Sequence, residues 1–205
     1  MKVIILYSAV ILAAGEADRM GKLKQLLPWK EKTILETVID NVLDSKYIDD
    51  EIRIVLGAES DKVKEKISYY NDSRIVIKEN PDYKQGMSTS LKKGIEHLSE
   101  STKYLVIFLG DQPLITPDIF DNIIHKFEED SAEIMMPVYN KKPGHPVIIS
   151  TKYLSDIKKL EGPMGLKPFI DSHKDIVKYC PVDDNRVIID LDYYDDYIYY
   201  KDKYS

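Results

Sequence analysis

The chain has 205 residues, 43% of them hydrophobic and 31% charged, with 29 Lys and Arg against 35 Asp and Glu. That length supports one sizeable core, and the composition is that of a globular rather than a disordered protein. A formal net charge of -6 argues against a general nucleic-acid binder, which needs arrayed cations, and no apolar run reaches the roughly 18 residues of a membrane helix. Cys180 is the only cysteine, which excludes an intrachain disulfide and suits a reducing cytoplasm.

In chain order, apolar runs alternate with segments of helical period. The opening run, 3–12 (VIILYSAVIL), reads as a buried strand and not as a signal peptide, because one Lys precedes it and highly charged sequence follows. Further strands are predicted at 51–57, 74–78, 103–109, 133–138, 146–150, 176–182 and 186–190, and helices at 33–45, 60–69, 87–99 and 117–129. Thr33 with Glu36 forms a capping box, and Thr116-Pro117 reads as an N-cap followed by Pro at the first helical position. Met87, Leu91, Ile95 and Leu98 share one helical face. Strands apolar on both faces and separated by helices imply a mostly parallel sheet covered on both sides. From about 133 to 182 the strands crowd together, as in an antiparallel edge. No repeat or linker divides the chain, so 1–205 reads as one domain. The tail "DLDYYDDYIYYKDKY" holds six of the fifteen tyrosines, as a terminal helix laying rings on the sheet edge or as an aromatic binding surface.

In an open α/β sheet, ligands bind beyond the carboxyl ends of the strands. Ala13-Ala14-Gly15, Gly110-Asp111 and Asp190 are all expected there. The first loop lacks the G-x-G-x-x-G dinucleotide fingerprint. It also fails as a Walker loop, since five residues separate Gly15 from Gly21 and Leu23 stands where Ser or Thr is needed. Its small residues still permit close approach to main-chain N–H groups, and Arg19 and Lys24 follow, so it is either a surface loop or a phosphate seat. Asp111 ends a wholly apolar strand. There a carboxylate either caps the next turn or ligates a hard cation such as Mg²⁺. Asp190 and Asp192 could complete that site, although strand alternation would turn only one of them inward. Asn80 lies in a turn, and Ser88 and Ser90 in a first helical turn, where capping competes with contact to a base or ribose. His145, between Gly144 and Pro146, is structural or faces a ligand. The four histidines show no zinc-like spacing.

Together these segments resemble the MobA-like nucleotidyltransferases, and within them the molybdenum cofactor cytidylyltransferases. The family motif L-A-A-G-x-S-x-R-M-G-x-x-K-x-L-L-P is matched from Leu12 to Pro28, and "NPDYKQGMSTSLKKGI", "GDQPLIT", "GHPVII" and "GPMGLKPFI" follow in order over nearly the whole chain. The resemblance implies a three-layer, Rossmann-like sheet of the nucleotide-diphospho-sugar transferase type. It also implies transfer of a nucleotide to the terminal phosphate of molybdopterin, with release of pyrophosphate. By position, Leu12, Ala13, Ala14 and Gly15 would hold base and phosphates, and Arg19 and Lys24 would neutralise the triphosphate. Asp111 and Asp190 would hold Mg²⁺, Ser90 and Ser88 with Asn80 would contact the nucleoside, and His145 would face the pterin. Ala14 favours CTP over GTP.

The sequence departs from the family pattern at Ala17, where Ser is usual, at Lys167, where Arg is common, and in the closing acidic segment from Asp190 to Asp196, which lacks the usual Thr and Pro. Other phosphorylated acceptors, and a non-catalytic carrier delivering cofactor to a molybdenum hydroxylase, are the alternatives. A nicotinamide oxidoreductase is disfavoured by the missing fingerprint.

Overall fold

The structure, a computed structural model, describes residues 6–16 and 23–204. The elements in chain order are β1 (Leu6–Ala13), the ribbon β2 (Pro28–Trp29) and β3 (Lys32–Thr33), α1 (Ile34–Leu43), β4 (Ile52–Leu56), α2 (Ser60–Ile67), β5 (Ile75–Glu79), α3 (Met87–Ile95), β6 (Thr102–Leu109) and α4 (Pro117–Glu129). The second half adds β7 (Ile134–Tyr139), β8 (Lys142–Pro143), β9 (Val147–Ser150), α5 (Leu154–Ile157), α6 (Lys167–Ser172), β10 (Val177–Pro181) and α7 (Tyr194–Tyr204).

The main sheet has the order β10-β7-β9-β6-β1-β4-β5, with β8 paired to β7. β1 runs parallel to both β4 and β6, and β4 parallel to β5. The antiparallel part comes from the crowded later strands. β9 opposes β6 and β7, and β8 opposes β7, while β10 returns parallel to β7. Leu35, Val38, Val63, Phe120 and Ile124 pack α1, α2 and α4 on one face, and Leu91, Ile95, Ile157 and Phe169 pack α3, α5 and α6 on the other. Both faces of the central strands are thus sealed, which explains their continuous apolar runs.

The expected capping box is present: Thr33 N donates to Glu36 Oε2 at 2.8 Å, and Glu36 N to Thr33 Oγ1 at 3.3 Å. Pro117 opens α4, although Thr116 caps it without a side-chain bond. Helix α3 stops at Ile95 instead of running to 99. The cause is Arg53 of β4, only 1% exposed, whose guanidinium takes the carbonyls of Gly94, Glu96 and His97 at 2.7, 2.9 and 2.6 Å. Those carbonyls are bound by a cation from the sheet, so the helix ends there and Leu98 packs from outside it.

The strand expected at 186–190 is a 3-10 turn, Asn185–Ile188. Asp184 accepts from Arg186 N at 2.9 Å and holds its guanidinium, and this local side-chain bonding wins over strand pairing. The tail does form a helix, but it covers the β2–β3 ribbon and not the sheet edge. Tyr197 is buried beside Trp29, and its hydroxyl donates to Pro28 O at 2.6 Å.

Gly110 sets how closely the ends of β6 and β1 approach. Its N–H donates to Leu12 O at 2.8 Å, and an added Cβ would lie 2.8 Å from Ala13 Cβ. Gly110→Ala is therefore expected to cost about 1–3 kcal/mol, the range for overpacking a core. Urea unfolding measures this, and an unchanged midpoint would contradict the packing argument.

Candidate active site

β1, β4, β5 and β6 end on one edge of the sheet, and a hollow of about 330 Å³ opens there. Its wall includes Leu12, Ala13, Ala14, Gly15, Lys24, Ser90 and Asp111 from the expected set. Glu16, Gln25, Tyr83, Met87, Leu109, Gly110, Pro163 and Asp192 complete it. Tyr83, Met87 and Pro163 give one side an apolar character. Lys24, Asp111 and Asp192 make the other ionic.

The loop after β1 is tied down through its carbonyls. Gln25 Nε2 donates to Ala13 O at 3.0 Å and to Gly15 O at 3.1 Å, while Ala58 N donates to Ala14 O at 3.3 Å. Gly57 allows this approach, because a Cβ there would sit 2.6 Å from Ala14 O.

Lys24 begins the 3-10 turn Lys24–Leu26. Its ammonium donates to Asp111 Oδ2 at 2.8 Å and to Asp192 Oδ1 at 3.0 Å. Burial alone would lower the Lys24 pKa, but the two carboxylates outweigh it and hold the group above its ordinary value. Lys24 is therefore a fixed cation at neutral pH.

Asp190 receives a hydrogen bond from Gln112 Nε2 at 2.6 Å. Its carboxyl is pushed up to about 6, first by crowding from protein and next by the charge of Asp111, with Asp192 adding to the effect. Both Asp190 and Asp192 thus approach the same place. The alternation expected of a strand does not separate them, because this segment is not one. Burial pushes the His145 imidazole down to about 4 against the pull of Asp111, so the ring is neutral at physiological pH.

The remaining expected residues lie outside the wall. Asn80 is buried, and its amide donates to Thr89 Oγ1 at 2.9 Å and Ser90 Oγ at 3.0 Å, so it braces a serine that does line the hollow. Ser88 is fully buried, and its hydroxyl has no partner among the described residues. His145 and Asp190 are not part of the wall, although each feels the charge of Asp111. Arg19 and Ala17 fall outside the described residues. Sequence reasoning passed over Gln25, Gln112, Tyr83 and Met87. The signal for Gln25 was its place beside Lys24, and for Gln112 its place beside Asp111.

A hard divalent cation fits this donor set in one particular way. Among the described residues, no three His, Cys, Asp or Glu side chains form a group able to hold an ion alone. Asp111 and Asp192 nevertheless share the Lys24 ammonium, and the charges of both are felt by the Asp190 carboxyl. Two like charges about 4 Å apart repel by about 4 kcal/mol at an effective dielectric near 20. A polyanionic ligand entering here meets those carboxylates, and a divalent cation would offset that repulsion. An all-oxygen site with few protein ligands, completed by phosphate and water, is the usual binding mode of Mg²⁺.

The raised Asp190 pKa has a stability consequence. Folded protein retains a proton between about pH 4 and 6 that unfolded chain releases, so stability falls as pH rises through that window and the penalty is complete above it. Asp190→Asn removes the penalty. Because Asp190 is exposed as a residue, screening limits the gain at pH 7.5 to on the order of 1 kcal/mol. Urea unfolding with chelator present, at pH 4 and 7.5, is expected to show a gain only at the higher pH. Parallel profiles for both proteins would contradict it.

Residues 9–177 match the family model of the MobA-like NTP transferase domain. The chain is 32% identical to the molybdenum cofactor cytidylyltransferase of Escherichia coli K12 over 96% of both chains. It is 34% identical to a probable molybdenum cofactor guanylyltransferase of Natranaerobius thermophilus, over 67% of this chain and 62% of that one. Among solved structures, Rv0371c of Mycobacterium tuberculosis H37Rv superposes with a TM-score of 0.82 at 25% identity, over 97% of this chain and 98% of that one. A manganese complex of Rv0371c superposes with a TM-score of 0.77 at 26% identity, over 96% of this chain and 98% of that one. A family model matched over most of the chain and a relative matched along nearly its full length agree, and the chain belongs to the MobA-like NTP transferase family.

Proposed function

We propose that the protein transfers CMP from CTP to the terminal phosphate of molybdopterin, releasing pyrophosphate. The observation that carries this reading is the Lys24 ammonium, fixed 2.8 Å from Asp111 at the rim of the Ala13–Gly15 loop. The cytidylyltransferase relative, matched over nearly its full length, supports the choice of donor and acceptor. Ala14, at the position where the family resemblance favours CTP over GTP, lines the hollow and supports that choice.

In this mechanism the Ala13–Gly15 loop seats the triphosphate, and Lys24 transfers part of its hydrogen bonding from Asp111 and Asp192 to phosphate oxygens. An acceptor phosphate oxygen then attacks the α-phosphorus in line. The α-phosphorus to bridging-oxygen bond breaks, and its electron pair leaves with pyrophosphate. Asp111, with Asp190 or Asp192, would hold Mg²⁺, which supplies charge neutralisation between carboxylate and phosphate. Lys24 stabilises the charge growing on the leaving group, and the neutral His145 would face the acceptor. Positioning and electrostatics carry the transfer, so no covalent enzyme intermediate is required. The product would pass to a molybdenum hydroxylase. All of these steps suit a cytoplasmic enzyme.

Pyrophosphate release from protein, Mg²⁺, molybdopterin (with and without molybdenum) and either CTP or GTP tests the reading. Release with CTP well above GTP is expected. A preference for GTP would favour the guanylyltransferase alternative, which the second relative supports. Nucleotide-independent cofactor binding without pyrophosphate would favour a carrier protein. Asp111→Asn and Lys24→Ala are each expected to lose about 10²–10³-fold in kcat, typical for one electrostatic partner of a transition state. Near-normal turnover would remove that residue from the mechanism.

A further inference from the structure

We propose that Gln25 is a positioning residue that sets nucleotide affinity by holding the carbonyl oxygens of the loop after β1 turned into the protein. The inference rests on the triphosphate being the ligand of that loop. Both N–H groups of one amide nitrogen are used, on Ala13 O at 3.0 Å and Gly15 O at 3.1 Å. Ala58 N takes the carbonyl between them at 3.3 Å. Three successive peptide oxygens are therefore spent inside the protein, on a loop that lines the hollow. A carbonyl oxygen is the negative end of its peptide dipole, and one facing a polyphosphate would repel it. With these oxygens tethered, small residues leave the main-chain N–H side for the anion.

Two further observations set Gln25 apart from a residue that merely fills space. It is only 6% exposed, and its Oε1 has no partner among the described residues. A buried acceptor without a partner costs stability, so an apolar side chain of similar length would suit this position better unless the donors matter. The amide orientation is also fixed, because reversing it would set Oε1 against two carbonyl oxygens. Gln25 shares the turn Lys24–Leu26 with the lysine, so the same two bonds anchor the backbone that carries the site's cation.

Gln25→Met keeps the length and loses both donors. Gln25→Glu keeps the shape and replaces donors with acceptors, and Gln25→Lys restores donors. Calorimetric titration with CTP and Mg²⁺, steady-state KM and kcat, and thermal unfolding are measured on each full-length protein. Gln25→Met is expected to bind CTP about 10-fold more weakly, from two modest hydrogen bonds. Gln25→Glu is expected to lose on the order of 100-fold, and Gln25→Lys to stay within about threefold of wild type. KM should rise by the same factors while kcat at saturating nucleotide changes less than about threefold. Wild-type affinity in folded Gln25→Met, a loss expressed only in kcat, or a weakened Gln25→Lys would each overturn the inference. If Gln25→Met does not fold, Gln25→Leu, which also removes both donors without adding charge, carries the same test. Wild-type protein that binds no nucleoside triphosphate would overturn the parent reading as well, so the two failures are distinguishable.

Discussion

One ammonium held between two carboxylates is the interaction on which the rest depends. Lys24 meets Asp111 and Asp192 at hydrogen-bond distance, in a protein that already carries excess negative charge. A site that receives a polyphosphate must oppose repulsion from its own acids, and a cation fixed by those acids is positioned before any ligand arrives. The cluster of basic residues directly behind the first buried strand follows from this constraint. The parallel pairing of β1 with β6 brings the Ala13–Gly15 loop and Asp111 to adjacent positions at one sheet edge.

The tyrosine-rich tail belongs to the same design. Leu27, Trp29 and Ile34 share a small core with Ile189, Leu191 and Tyr197. Leu27 and Trp29 follow the Lys24 turn directly, and Leu191 stands between Asp190 and Asp192. One apolar cluster thus anchors both halves of the ion-pair network, and the bond from the Tyr197 hydroxyl to Pro28 O locks α7 over the ribbon. The tail acts through packing on the segments that carry the charges, although Tyr194 and Tyr199 remain exposed on its outer side.

Much of this was legible in the sequence, because the relevant signals were local. The period of apolar residues gave the layers, Thr33 and Glu36 gave the start of α1, and Asp111 at the end of an apolar strand lines the hollow. What the sequence hid depended on long-range partners. The early end of α3 comes from Arg53, far away in sequence and buried in the sheet. The turn at 185–188 and the residue after it looked like a strand because Val187 is buried in the main core and Ile189 in the α7 cluster, not by strand pairing. Asn80 was expected at the ligand, and what the sequence did not show is its bond to Ser90, a contact set by which way an amide points. Gln25 carried only its place beside Lys24 as a signal, and its role follows from the two carbonyls it reaches.

The most direct measurement is an anomalous-difference map from crystals grown with Mn²⁺ and a non-hydrolysable CTP analogue. The account predicts an ion beside the Asp111 carboxylate, with the triphosphate against the Ala13–Gly15 loop and an oxygen of it within hydrogen-bond reach of Lys24 Nζ. An ion away from Asp111, or a nucleotide bound elsewhere on the protein while Lys24 stays paired with both carboxylates, would contradict it.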